Sequence, residues 1–220
     1  MMRFQSPLVA PVFAALLSLG ALAAPSAHAE EIRTLDASLT EDPDSEGAWL
    51  LKADFDIGLT PKLEEAVSRG VILTFAVDFE LIRPRWYWWN EKVISTSQAW
   101  RLSYHALTRQ YRLSLDGLQL RFATLNQALQ ALALNRGWRV VSSDTLNPGQ
   151  SYEARVRMRL DTSLLPKPIQ VNALTSNDWS LSSNWHPFKF AAPAKNSSPA
   201  PAPAETANSS DHSHSSESAR

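Results

Sequence analysis

The strongest constraint on this chain is the period at which its apolar residues recur. Trp49, Leu51, Ala53, Phe55 and Ile57 alternate with Lys52, Asp54 and Asp56, and Val71, Leu73, Phe75, Val77, Phe79 and Leu81 repeat the pattern around Thr74, Asp78 and Glu80. Trp100, Leu102, Tyr104 and Ala106 follow it, as do Tyr111, Leu113 and Leu115; then Tyr152, Ala154, Val156, Met158 and Leu160 alternate with Glu153, Arg155, Arg157 and Arg159. A period of two places one face of each strand in the core and the other in water, the mark of antiparallel rather than parallel sheet. The pattern predicts a mainly β fold: an antiparallel β-sandwich of about seven to nine strands with two short helices. The alternative is an α+β arrangement, one antiparallel sheet backed by helices.

Both helices carry end signals. Thr60-Pro61 supplies an N-cap and a proline at the first helical position, Leu63, Ala66 and Val67 an apolar stripe, and Gly70 a stop. Thr124 with Gln127 forms a capping box ahead of Leu125, Ala128, Leu129 and Leu132, and that helix is expected to end near Asn135 to Gly137.

The ends of the chain do not share this patterning. Residues 1–29 read as an export signal: Arg3, an apolar run from Leu8 to Ala24, then Ala27-His28-Ala29 at the cleavage position. Nothing later approaches the ~20 apolar residues needed to span a bilayer, so the mature chain is expected in the periplasm without a transmembrane segment. From Ala191 to Arg220 there is no Val, Ile, Leu, Met, Phe, Trp or Tyr. That tail is read as disordered, since it cannot offset its ordering entropy by burial; its His212 and His214 are read as solvated residues rather than metal ligands. A single folded domain is therefore placed at 30–190. A body of that size buries about 70% of its unfolded-chain surface, which lets an exported domain do without disulfides in a chain that has no cysteine.

Composition excludes several chemistries. The absence of cysteine removes thiol nucleophiles and thiolate metal sites. Within the body only His105 and His186 are available, neither in a metal-binding spacing, and no G-x-S-x-G or phosphate loop occurs among seven glycines. No catalytic residue, cofactor or metal site is assigned. The remaining enzymatic reading is an envelope hydrolase using Asp54 and Asp56 together with Asp78 and Glu80, should their strands pair.

The formal net charge of -1 argues against a nucleic-acid binder, yet it conceals a segregation. Glu30 to Glu80 holds 13 acidic and 4 basic residues, whereas Leu81 to Leu160 holds 12 basic, eleven of them arginine, and 4 acidic. The halves are expected to meet as ion pairs across strands. Otherwise the arginines form a surface for an anionic envelope polymer, a lipid headgroup or an acidic protein segment. Arg83-Pro84-Arg85-Trp86-Tyr87-Trp88-Trp89 concentrates arginine with aromatics, the composition of interface hot spots. Were it a strand, Trp86 and Trp88 would face one side and Tyr87 and Trp89 the other, leaving at least one pair accessible. The candidate binding residues are Arg83, Arg85, Trp86, Trp88 and Trp89, with Arg109 and Tyr111.

The order of these motifs resembles a family. Leu63-Glu64-Glu65-Ala66 with Arg69-Gly70-Val71, the Arg83 to Trp89 cluster, Tyr104 to Arg112, Leu160 to Pro168 and Asp178-Trp179 occur in sequence. Together they are similar to the exported bacterial domain-of-unknown-function family 4390. The resemblance covers most of Glu31 to Phe190 and implies an exported protein with no assigned activity and no defined catalytic residue. It also implies, through gene neighbourhood, a periplasmic accessory role beside a membrane sensor kinase as an envelope partner.

Overall fold

The computed structural model describes residues 32–85, 87, 89–173 and 176–194. Residues 1–29, expected from their sequence to be an export signal, and most of the tail lie outside the described residues. Among the described residues nine strands form two antiparallel sheets. The larger has the order β6-β5-β4-β3-β8-β9, from β3 (Leu73–Arg83), β4 (Glu91–His105), β5 (Gln110–Leu115), β6 (Leu118–Phe122), β8 (Ser151–Leu160) and β9 (His186–Ala191). The smaller is β1-β2-β7, from β1 (Ile32–Glu41), β2 (Ala48–Ile57) and β7 (Leu134–Ser142).

The inward faces follow from the alternation. On β3, Leu73, Phe75, Val77, Phe79 and Leu81 are fully buried; on β8, Tyr152, Ala154, Val156, Met158 and Leu160 are buried opposite them. Each such large side chain contributes about 1.5–3 kcal/mol relative to exposure. The small sheet covers this core from the side of β8 and β9, while α1 (Pro61–Ser68) and α2 (Leu125–Ala133) pack over β4, β5 and β6. Layering is thus shared: one half of the large sheet is backed by strands and the other by helices. A single core runs through both halves.

Both predicted caps form. The Leu63 N–H donates to Thr60 Oγ1 at 3.2 Å and the Gln127 N–H to Thr124 Oγ1 at 3.3 Å. The expected end of α2 is displaced, because the helix stops at Ala133 and β7 begins at Leu134. In β7, Leu51 faces Trp138 and Ala53 faces Asn135, so Arg136 and Gly137 stand together opposite Lys52. Gly137 has φ of +75°; it serves a bulge, where glycine adopts the left-handed region without steric cost, rather than a helix stop. A third helix, α3 (Lys167–Ala173), follows Pro166 and lacks a long apolar stripe that would announce it.

Ordered structure also carries past Phe190. β9 runs to Ala191, and the buried Ala192 donates its N–H to Gln150 O at 2.9 Å. Among the described residues no helix is long and apolar enough to cross a membrane.

Candidate functional site

Pro84, which has no N–H to donate to a ladder, follows the last residue of β3, and β4 does not begin until Glu91. Arg83 closes β3 opposite Glu91, and the described residues Pro84, Arg85, Tyr87, Trp89 and Asn90 lie in the connection to β4 rather than in a continued strand. Both arginines turn back onto the sheet: Arg83 Nη1 donates to Glu91 Oε2 at 3.0 Å, and Arg85 Nη2 to the same oxygen at 2.5 Å. The Arg83 guanidinium also lies 5.9 Å from the centre of the Tyr152 ring. With Arg83 and Arg85 anchoring the base, Tyr87 is 64% and Trp89 85% exposed. Trp86 and Trp88 lie outside the described residues.

Arg109 and Tyr111 belong to a different place. They sit at the far end of β4, whose 15 residues span roughly 50 Å if fully extended. Arg109 is exposed in the β4–β5 turn with φ of +50°. Tyr111, the second residue of β5, packs against the core with its ring 4.9 Å from that of Tyr104. Burial, with Tyr104 and Glu64 nearby, pushes its phenol above the ordinary range. The five described candidates therefore do not form one surface; Arg83 at the end of β3 adjoins Arg85 and Trp89 in the β3–β4 connection, and Arg109 and Tyr111 do not join them.

The four carboxylates do not assemble either. β2 pairs with β1 and β7, so Asp54 and Asp56 lie on the small sheet, while Asp78 and Glu80 lie on the large one. Asp54 is ion-paired with Arg136. On β3, whose second face the alternation assigns to water, Thr74 and Glu80 are buried, because strands flank it on both sides and their side chains close over it.

The register sets Asp78 opposite Arg157 and Ser97, and Glu80 opposite Arg155 and Ser95. Asp78 accepts from Ser97 Oγ at 2.8 Å and from Nε of Arg157 and of Arg159, each at 2.9 Å. Glu80 accepts from Lys92 Nζ at 2.5 Å and from Arg155 Nε and Nη2 at 2.8 and 2.5 Å. Burial by itself would raise both carboxyls; these hydrogen bonds more than offset it and hold both below the usual carboxylate range. So held, Asp78 and Glu80 are poor proton donors with few free lone pairs.

The Trp185 ring covers this ladder, with Arg155 and Arg157 stacked on it at 4.7 and 4.4 Å from its centre. Sequence reasoning passed over Trp185, although it precedes β9 and is in step with Pro187 and Lys189 on the outward face. Beside the smaller sheet, Asp42 in the β1–β2 connection accepts from Arg139 of β7 at 3.2 and 2.5 Å. Much of the charge segregated in the sequence is thus paired in the fold, through Arg136, Arg139, Arg155, Arg157 and Arg159.

The fold and its surface define a mainly β, two-sheet domain with interstrand ion pairs around Asp78 and Glu80 and exposed aromatics in the β3–β4 connection. The chain matches, over residues 29–189, the family described as a domain of unknown function, DUF4390, and it belongs to that family. No curated protein and no solved structure matches it significantly.

Proposed function

We propose that this domain is a non-catalytic binding or adaptor module of the bacterial periplasm, docking an envelope protein partner through the Arg83 to Asn90 loop. The observation that carries the reading is the exposure of Trp89, 85%, beside Tyr87, 64%, on a loop whose base is clamped to Glu91 by two arginines. Large aromatics on a braced loop supply contact area at low entropic cost and dominate interface energetics. A periplasmic address is supported by the signal-like sequence of residues 1–29, and a membrane sensor kinase is the partner class suggested by the family resemblance.

A pull-down from envelope extract with the wild-type chain and a Tyr87→Ala, Trp89→Ala variant tests this. The reading requires a defined partner retained by the wild type and lost from the folded variant. Equal capture by both would refute it.

A further inference from the structure

Ion pairing is unevenly distributed over the outer face of the large sheet. Arg155, Arg157 and Arg159 on β8 each meet Asp78 or Glu80. Toward the opposite edge, Arg101 on β4, Arg112 on β5 and Arg121 on β6 share the outward face, and none of their side chains has an ion-pair or hydrogen-bond partner among the described residues. Arg112 stands directly across from Arg121, and Arg101 is one diagonal step away, across from Ser114.

Like charges set directly opposite on neighbouring strands repel, and among the described residues no carboxylate forms an ion pair with Arg112 or Arg121. The neighbours on this face are Thr74, Ser103, His105, Gln110, Ser114 and Gln119, none of them a carboxylate. Four of the five charged residues from Gln98 to Ala123 are arginine, the fourth being Arg109; the fifth is Asp116 in the β5–β6 turn.

The same end carries a second feature. Leu107, at the tip of the β4–β5 turn two residues before Arg109, is 93% exposed, the most exposed large apolar side chain among the described residues. An apolar tip followed by a field of unpaired guanidinium groups matches a lipid interface, in which an apolar side chain enters the acyl boundary and arginines meet phosphates bidentately.

We propose that the β4–β5–β6 edge seats on an anionic lipid bilayer, with Leu107 entering the interface and Arg101, Arg109, Arg112 and Arg121 contacting headgroup phosphates. This surface is separate from the aromatic loop, and its test does not depend on that reading.

Because the chain has no cysteine, Leu107→Cys carries a single environment-sensitive fluorophore at the tip. Glu46→Cys, exposed in the β1–β2 connection, serves as the reference. With vesicles of phosphatidylglycerol and phosphatidylcholine, the label at 107 is expected to brighten and shift to the blue, while the label at 46 stays unchanged. Pure phosphatidylcholine vesicles should elicit little response at 107.

High salt weakens the response in the otherwise unaltered labelled chain, and each of Arg112→Gln and Arg121→Gln lowers partitioning about fivefold. No response at 107 to anionic vesicles, or the same response to neutral ones, overturns the proposal. So does capture of soluble poly-glutamate through these arginines with no vesicle response, which would assign the face to an acidic protein segment.

Discussion

Arg155 grips Glu80 with two donors, Nε at 2.8 Å and Nη2 at 2.5 Å, across the β3–β8 pair, while Lys92 on β4 holds the other carboxylate oxygen. Three strands of the large sheet are thereby joined through one buried carboxylate. The identity of residue 80 matters because its partners were placed by register, and removing it strands a guanidinium over Trp185. Glu80→Gln is expected to lower unfolding stability by about 1.5–3 kcal/mol, the range for hydrogen bonds to charged groups. It should do so as a shift in urea midpoint at unchanged slope; a midpoint equal to wild type would contradict the role assigned to Glu80.

Acidification should report the same ladder. The folded carboxyls of Asp78 and Glu80 lie below their ordinary range, because hydrogen bonds from Ser97, Lys92 and the arginines outweigh burial. The folded state then binds fewer protons than the unfolded one near the unfolded values of ~4. The contribution is full above that pH and is lost as pH falls through the lower folded values. Melting temperatures recorded from about pH 6 to about pH 2 should fall for the wild type and fall less steeply for Asp78→Asn, Glu80→Gln. Parallel curves would show that the pair does not titrate as described.

At the β7 bulge, Gly137→Ala meets no atom within 4 Å but must accept a φ of +75°. The cost is backbone strain alone, about 1–2 kcal/mol. Chemical denaturation measures it, and a neutral substitution would mean that the bulge relaxes.

Trp89→Ala and Tyr87→Ala remove exposed side chains at a loop tip, so each is expected to change stability by less than about 0.5 kcal/mol. A large loss on thermal melting would reveal that these rings pack against the body, and the loop would no longer be a docking element.

How far the sequence disclosed this architecture depends on which residues carry the information. β8 could be read almost residue by residue, because Tyr152 to Leu160 alternate without interruption. β3 was legible on its inner face only. Its outer face shows Asp78 and Glu80 as polar letters, and their burial depends on the long-range register with β8, which local periodicity does not contain. β7 was hidden because Asn135, Arg136 and Gly137 look like a helix end, while a bulge opposite Lys52 lets them continue a strand. The candidate site divided for a similar reason. Arg83 and Arg109 are near in sequence and of one chemical type, yet β4 carries them to opposite ends of the sheet.

The central claim is that the Arg83 to Asn90 loop is a docking element, and in vivo photocrosslinking tests it most directly. With a photoreactive phenylalanine analogue at position 89, the account predicts a discrete cross-linked species containing one envelope protein, absent when the probe is placed at Glu46. No adduct at position 89, or the same adducts at both positions, would contradict it.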